Sequence, residues 1–194
     1  MLAEKFRNHE IILASKSPRR QELFKSLQVD FKVETREVPE LYPESLQKQE
    51  ITSYLSELKS NAFGELENHQ VLVTADTIVW QNNKALEKPM NEKEAYYMLN
   101  SLQGRTHEVI TSFCIRTMNY RSTVSDITTV HFDDLTSEEM NFYIRNYEPF
   151  DKAGAYGIQE WIGQAYIKRI EGNYNSVVGL DTAALVHMLE PYFQ

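Results

Sequence analysis

Residues Ser15 to Arg20, which read Ser-Lys-Ser-Pro-Arg-Arg, form a basic turn suited to binding an anion. Ser17 and Pro18 are typical of a helix N-cap and a first helical position, which places Arg19 in the first turn of a helix. The first backbone N–H groups of a helix lack helical partners, and the positive end of the helix dipole lies there. Two arginines at this position are therefore unfavourable unless an anion binds between them. Phosphate fits, because arginine binds it in a bidentate manner and serine hydroxyls add donors. From this turn alone, arginines that simply reach solvent or nearby acids are an equally good interpretation.

Asp76 lies inside the apolar run Val71 to Val79, where a carboxylate is unusual. Aspartate is disfavoured in strands, and burying it without a partner is costly. The position is explained if Asp76 binds a hard cation such as Mg²⁺ or activates water, the two roles that hydrolysis of a phosphoanhydride requires. An aspartate that ends the strand and caps the next turn is the alternative.

Three further charged residues are weaker candidates for the same site. Lys59 falls near the centre of the apolar face of a predicted helix, where a lysine usually extends its amine to solvent. Lys88 follows a predicted hairpin after Asp76 and could return close to that acid. Glu40, in a loop before the long helix, could be a second metal ligand, although most loop glutamates are solvated.

Five of the seven glycines lie between residues 154 and 179. Within this region, the segment Asp151 to Gln159 has two glycines three residues apart, a spacing that lets a backbone pass close to a flat ligand such as a base. Gln159 carries both a donor and an acceptor, enough to recognise the edge of a base. A loop whose glycines serve only its own turns is an equally good interpretation.

Several other classes of protein lack support in the sequence. Neither the phosphate-binding loop of many kinases nor the dinucleotide fingerprint is present, and the 5 histidines show no metal-ligand spacing. His107 heads a strand pattern and belongs to no Ser-His-Asp arrangement, so proteases and esterases are not indicated. The net charge of −8 argues against non-specific binding of nucleic acid.

Charge distribution and cysteine content agree with an acidic cytoplasmic protein. Residues 1–36 hold eight basic and five acidic residues, whereas residues 37–70 hold two and seven. That division would suit a polyanion bound with a metal, but it is also within ordinary variation. Cys114 is the only cysteine and lies in an apolar stretch, which excludes an internal disulfide and fits a reducing compartment. No signal peptide pattern and no stretch long enough to cross a bilayer is present, so we expect neither secretion nor membrane insertion.

Helical and strand patterns alternate along the 194 residues and predict a single domain, residues 1–194, with a mixed sheet. The predicted strands are Glu10 to Ala14, Val71 to Trp80, a hairpin of His107 to Thr117 with Ser122 to Phe132, and Gln164 to Ile170. Five helices are predicted. The first begins at Ser17, the second spans Ser45 to about Glu67, and the last spans Thr182 to Leu189. The third starts at the capping pair Asn91 and Glu94, and the fourth starts at the capping box Thr136 and Glu139.

Several stretches together resemble the Maf family of nucleoside triphosphate pyrophosphatases. In order, they are Ala14 to Arg20, Ala75 to Val79, Glu87 to Pro89, Thr106 to Thr111 and Glu148 to Gln159. They fall in the family's order and spacing across roughly residues 10 to 181, which makes the resemblance highly specific. One departure is Asp181, because the family usually has proline after Gly-Leu; Asp181 is expected to cap the last helix instead.

The resemblance implies a mixed α/β fold similar to inosine triphosphate pyrophosphatases, with helices flanking a twisted sheet in two lobes around a nucleotide cleft. It also implies a divalent cation, Mg²⁺ or Mn²⁺, and a homodimer. Carried over by position, it makes Asp76 the proton acceptor and Glu40 and Asp76 the metal ligands. It places four residues around the phosphates: Ser15, Arg20, Lys59 and Lys88. Three residues match positions that mark the subgroup acting on dTTP and UTP: Arg19, Thr77 and Gln159.

The activity that the resemblance implies is hydrolysis of dTTP and UTP, or of modified uridine triphosphates, to the nucleoside monophosphate and pyrophosphate. The family is also associated with inhibition of septum formation, so a nucleotide-binding regulator of cell division without significant turnover is the alternative. The intact set of Asp76, Lys59 and Lys88 favours catalysis.

Overall fold

The computed structural model of this protein describes Glu4 and residues 6–189 and shows a mixed α/β fold built on a seven-stranded sheet. The strands are β1 (Glu10–Leu13), β2 (Lys32–Val33), β3 (Gln70–Gln81), β4 (Lys84–Leu86), β5 (Thr106–Arg116), β6 (Arg121–Phe132) and β7 (Ile167–Glu171). Their order is β2-β1-β3-β5-β6-β7, and β4 pairs with β3. β1 is parallel to β2 and β3, whereas β4 is antiparallel to β3 and β7 to β6, so the predicted mixed sheet is confirmed.

Helices connect these strands along the chain. They are α1 (Pro18–Ser26), α2 (Gln49–Asn61), α3 (Glu92–Leu102), α4 (Ser137–Tyr147), α5 (Trp161–Tyr166), α6 (Tyr174–Val178) and α7 (Thr182–Leu189). Two short 3-10 turns, Pro149–Asp151 and Ala153–Ala155, precede α5. Within residues 4 and 6–189, no helix combines the length and the apolar character that crossing a membrane requires.

The chain divides into two compact units. Among the described residues, the first unit contains residues 4, 6–76, 111–126 and 179–189, and the second unit contains residues 77–110 and 127–178. Strand β3 passes from the first unit into the second between Asp76 and Thr77. The expectations of a single domain and of a nucleotide cleft between lobes stay predictions.

Each unit has its own apolar core. In the first unit, residues of α1, β1, β3, β5 and α7 pack together around side chains such as Phe24, Leu13 and Phe113, none more than 1% exposed. In the second unit, α3, α4, β5 and β6 contribute to a core that includes Leu99 and Tyr143, both 0% exposed. Burying one large apolar side chain contributes about 1.5–3 kcal/mol, so these clusters hold the elements that carry the polar residues below.

The hairpin predicted after Asp76 is formed by β3 and β4, with a two-residue turn between them. Asn82 and Asn83 have φ angles of 50° and 59°. Both values lie in the left-handed region, where asparagine is tolerated and where this type of tight hairpin places its two central residues.

Side-chain caps fix the starts of the later helices as the sequence predicts. Asn91 Oδ1 accepts a hydrogen bond from the Glu94 N–H at 3.0 Å. Thr136 and Glu139 form the reciprocal capping box at the start of α4. Asp181 Oδ1 accepts a hydrogen bond from the Ala184 N–H at 3.0 Å, so the expected cap in place of the usual proline is confirmed.

The helix predicted across Ser45 to about Glu67 is shorter in the structure, because α2 spans Gln49–Asn61. Lys48 has a φ of 49°, and Gly64 has a φ of 63°. Neither angle is compatible with a continuing right-handed helix, so the apolar pattern extends past both ends of the helix that it indicates.

The strand predicted across Gln164 to Ile170 starts too early. The Gln164 N–H donates to the Glu160 carbonyl oxygen at 3.0 Å, and the rings of Trp161 and Tyr166 pack 5.3 Å apart within the same short helix. Residues 164–166 therefore belong to α5, and strand β7 begins at Ile167. A helix of six residues is too short to produce a recognisable period.

We expect Thr136→Ala to lower the free energy of unfolding by about 1 kcal/mol, because it leaves the Glu139 N–H and the capping carboxylate without their hydroxyl partner. Thr136→Ser keeps the hydroxyl and should stay close to the wild type. Urea unfolding followed by circular dichroism measures both variants, and equal losses in the two would contradict the capping account.

Candidate functional site

Asp76, Lys59 and Glu40 converge in the first unit. The Lys59 ammonium donates to Asp76 Oδ1 at 2.7 Å and lies 3.2 Å from Glu40 Oε1. The side chains of Lys59 and Asp76 are only 15% and 8% exposed, whereas that of Glu40 is 50% exposed. The structure thus brings together three residues that periodicity and composition could propose only separately.

A second contact between strand β3 and helix α2 positions Lys59 and Asp76 relative to each other. Thr74 and Asp76 are two residues apart on β3, so their side chains leave the strand on the same face. Thr74 Oγ1 donates to the Ser56 carbonyl oxygen at 2.6 Å, and Lys59 lies three residues further along α2, on the same side of the helix. The interpretation of Lys59 as a lysine that extends to solvent is therefore wrong.

Arg20 is fixed by two backbone carbonyl groups of the first unit. Its Nε donates to the Gly179 oxygen at 2.8 Å and its Nη1 to the Ala75 oxygen at 3.1 Å, next to Asp76 in sequence. Burial lowers the pKa of Arg20 from its ordinary value, the Asp76 carboxylate opposes that shift, and Arg19 adds to it. Arginine nevertheless stays charged at neutral pH in proteins, so Arg20 supplies an oriented cation.

Ser15 provides the side-chain oxygen at the start of α1. Its hydroxyl accepts a hydrogen bond from the Ser17 N–H at 3.2 Å, whereas the Ser17 side chain makes no capping hydrogen bond. Ser17 thus holds the predicted N-cap position without the capping contact that usually goes with it. Ser15 is only 6% exposed and belongs to the same turn as Arg19 and Arg20.

The Glu40 and Asp76 carboxylates offer the oxygen ligands that Mg²⁺ and Mn²⁺ prefer. Both contact the same Lys59 amine, so they face a common point. Within the described residues, no group of three or more His, Cys, Asp or Glu side chains could enclose a metal. Mg²⁺ is commonly held by one or two carboxylates, with water and phosphate oxygens completing its shell. The two carboxylates therefore fit the expected cation.

Thr77, Lys88 and Gln159 belong to the second unit. Thr77 is half-buried and directly follows Asp76 on β3, Lys88 is exposed after β4, and Gln159 is half-buried between the 3-10 turns and α5. The side-chain oxygen of Gln159 is buried without a hydrogen-bond partner. Such an acceptor is costly unless a ligand or a water molecule donates to it. The predicted approach of Lys88 to Asp76 stays a prediction.

Contacts inside the second unit explain the first two glycines of the loop. Gly154 has a φ of +69°, and a Cβ there would lie 2.8 Å from Val79 Cγ2. A Cβ on Gly157 would lie 2.9 Å from the Glu160 carboxyl carbon. Both distances are shorter than real Cβ contacts, so Gly154 leaves room for Val79 of β3 and Gly157 for the Glu160 side chain. The approach of a base to this loop stays a prediction.

Sequence reasoning missed three residues that hold this loop: Tyr143, Lys152 and Glu160. Lys152 is only 7% exposed, and its amine lies 3.1 Å from Glu160 Oε1. The sequence contains one indication of this contact. Lys152 is followed directly by Ala-Gly-Ala-Tyr, and a lysine among such small residues is expected to be buried and to pair with a carboxylate.

The sequence pattern of the family described as "Maf-like protein" matches residues 10–192 of this chain. This chain belongs to the Maf family. The protein named dTTP/UTP pyrophosphatase in Flavobacterium johnsoniae is 51% identical over 190 residues, which cover 97% of this chain and 98% of that protein. The protein of the same name in Flavobacterium psychrophilum is 53% identical over 94% of each chain. The Bacteroides fragilis protein of that name is 42% identical over 94% of this chain and 95% of its own.

Among solved structures, the Ham1 protein of Staphylococcus aureus aligns with a TM-score of 0.45 and 15% identity, over 64% of this chain and 72% of that chain.

His107 is a buried titratable group in the second unit of this Maf protein. Its Nε2 lies 2.7 Å from the Tyr156 hydroxyl, and its ring packs against Tyr156 and Phe132. Burial lowers the pKa of His107 to about 3, and the charge of His131 contributes in the same direction. His107 is therefore neutral at physiological pH, in agreement with its lack of a metal-binding or triad pattern.

We expect His107 to weaken the folded state as the pH falls. Below pH 6.5, the ordinary pKa of histidine, the unfolded chain takes up a proton at residue 107 that the folded chain accepts only near pH 3. The contribution of neutral His107 to the free energy of unfolding is therefore fully present above pH 6.5 and is lost progressively below it. Between about pH 7.5 and pH 5, the wild type should lose about 2 kcal/mol more than His107→Gln.

Urea unfolding at both pH values measures this difference. His69→Gln, which changes an exposed histidine, is the control and should retain the pH dependence of the wild type. Equal pH dependence in the wild type and His107→Gln would show that His107 titrates normally.

Proposed function

We propose that this Maf protein hydrolyses dTTP and UTP to the nucleoside monophosphate and pyrophosphate. The observation that carries the proposal is the convergence of Asp76, Lys59 and Glu40 in the first unit. Carboxylates with an ammonium group are what phosphoanhydride hydrolysis uses for proton removal, metal binding and charge stabilisation. The shared name of three relatives, which match this chain over nearly its whole length, supports dTTP and UTP as substrates.

Asp76 accepts the proton of the water that attacks the α-phosphorus. Lys59 holds Asp76 Oδ1 at 2.7 Å, so the carboxylate has one orientation and its other oxygen is the one assigned to the water. A positioned general base of this kind contributes about 10²–10⁴-fold to the rate.

Three residues of the first unit bind the phosphates and offset the negative charge that develops on them: Ser15, Arg20 and Lys59. The family resemblance assigns Lys88, in the second unit, to the phosphates as well. Two backbone carbonyl groups orient the guanidinium of Arg20. A cation that is already in place before reaction stabilises developing charge without further reorganisation.

Glu40 and Asp76 hold the divalent cation, which we propose to be Mg²⁺, with Mn²⁺ as the other candidate. When bound, the cation neutralises phosphate charge and polarises phosphoryl oxygens. The convergence of both carboxylates on the Lys59 amine supports this pair as the ligands.

Gln159 selects the base, with Arg19 and Thr77 as further determinants. Uracil and thymine carry an N3–H donor, which the unpartnered Gln159 side-chain oxygen can accept. Cytosine has a lone pair at N3, so the same oxygen would face an acceptor and discriminate against it. Modified uridine triphosphates that keep the N3–H satisfy the same contact and belong to the proposed substrate range.

We further propose that the enzyme is a cytoplasmic homodimer without nucleic acid or membrane partners. Cys114 is a free, buried cysteine, which fits a reducing compartment. The net charge of −8 supports the absence of a nucleic acid partner.

The proposal is tested by incubating the pure protein with Mg²⁺ and a panel of dTTP, UTP, CTP, ATP, GTP and base-modified uridine triphosphates, and measuring pyrophosphate release. We expect the highest kcat/KM among the nucleotides with an N3–H uracil or thymine edge. Saturable binding without product would instead favour the nucleotide-binding regulator of septum formation.

We expect Asp76→Asn to abolish nearly all turnover while nucleotide binding is largely retained, because the general base is lost whereas the proposed phosphate ligands Ser15 and Arg20 and the metal ligand Glu40 remain. Pyrophosphate release measures the first effect, and calorimetric titration with dTTP or UTP measures the second. Asp30→Asn makes the same chemical change at an exposed position of the first unit and should leave both unchanged. Wild-type turnover by Asp76→Asn would overturn the assignment.

A further inference from the structure

A chain of hydrogen bonds in the second unit fixes the loop that carries Gln159. The Tyr143 hydroxyl accepts from the Gly157 N–H at 3.0 Å and donates to Glu160 Oε2. Glu160 Oε1 lies 3.1 Å from the Lys152 amine. One hydroxyl from α4 therefore holds the backbone two residues before Gln159 and the side chain one residue after it.

This hydroxyl is placed by its helix, because Tyr143 is 0% exposed and its ring belongs to the core of the second unit. A rigid aromatic side chain has little freedom to lose, so its oxygen is a fixed point for the loop. Gly157 fits so closely against the Glu160 side chain that even a methyl group at residue 157 would clash with it. The absence of a Cβ at residue 157 therefore leaves room for the Glu160 carboxylate beside the turn.

Gln159 itself has a buried side-chain oxygen with no partner, between the two anchored positions. An unsatisfied acceptor discriminates between ligands only if it cannot turn away to find another partner. Anchors on both sides of residue 159 supply that restriction on the backbone.

We propose that Tyr143 is a positioning residue for base selection: its hydroxyl holds the 157–160 turn so that the Gln159 oxygen can accept the N3–H of a uracil or thymine base. This inference rests on the proposed function. Tyr143 does not contact the substrate and acts through Gln159, with Glu160 and Lys152 orienting the hydroxyl.

The test compares Tyr143→Phe with the wild type on UTP and CTP. The variant keeps the ring in the core and removes only the hydroxyl, so we expect the ratio of kcat/KM for UTP to that for CTP to fall about tenfold, mainly through a higher KM for UTP. Tyr147→Phe removes a hydroxyl from the ring stacked on Tyr143, 5.0 Å away on the same helix, and should leave the ratio unchanged.

A merely structural role would lower the amount of folded enzyme and hence kcat for both substrates by the same factor, with the ratio preserved. Thermal unfolding of each variant shows how much of the protein is folded at the assay temperature. A preserved ratio in folded Tyr143→Phe would overturn the proposal.

Dependence on Gln159 is tested in the Gln159→Ala background. We expect Tyr143→Phe to change the UTP to CTP ratio there by less than about twofold, because the group that it positions is gone. A full drop in that background would contradict action through Gln159. Failure of the proposed function is a separate outcome, because the wild type would then release no pyrophosphate from UTP.

Discussion

Asp76 lies in a strand whose other side chains are mostly buried and apolar, and the Lys59 ammonium 2.7 Å from its Oδ1 makes that position tolerable. Removing one partner of a buried ion pair typically costs about 3–5 kcal/mol, because the remaining charge is left without compensation. The pair therefore constrains both elements that carry it. Helix α2 must present Lys59 to β3, and the Thr74 contact with the Ser56 carbonyl group fixes the register in which it does so.

Two other charged residues of the first unit, Arg20 and Glu40, are held by contacts close to Asp76 in sequence or in space. Arg20 uses two of its donors on the carbonyl groups of Gly179 and Ala75, so a second cation is fixed near the strand that carries Asp76. Glu40 shares the Lys59 amine and balances part of its charge. We propose that these positively and negatively charged side chains bind a phosphate group together with a divalent cation. Base selection is assigned to the second unit, where anchored loop residues surround an acceptor without a partner.

Much of the fold could be predicted from the sequence, because caps and turns are local chemistry. Thr136 with Glu139, Asn91 and Asp181 all cap the helices that they were expected to start. Predictions failed where a local pattern continues beyond the element that it indicates, as at Lys48, or where an element is too short to show a period, as at Gln164.

The candidate site was predictable only in part, for a different physical reason. Asp76 stood out because a carboxylate inside an apolar strand breaks a local rule, whereas a lysine on the apolar face of a helix, such as Lys59, ordinarily extends its amine to solvent. The contact between Lys59 and Asp76 is a tertiary contact between residues 17 positions apart, and helical or strand periodicity cannot predict such a contact. Tyr143 was missed for the same reason, because an aromatic residue at helical spacing predicts a core position and its hydroxyl contacts lie 14 and 17 residues away.

We propose that water attacks the α-phosphorus of the nucleotide, with Asp76 as the proton acceptor. Hydrolysis of UTP in water enriched in ¹⁸O, followed by mass spectrometry of both products, tests it directly. Attack at the α-phosphorus places the label in UMP and leaves pyrophosphate unlabelled. Label in pyrophosphate, with none in UMP, would mean attack at the β-phosphorus and would contradict the account.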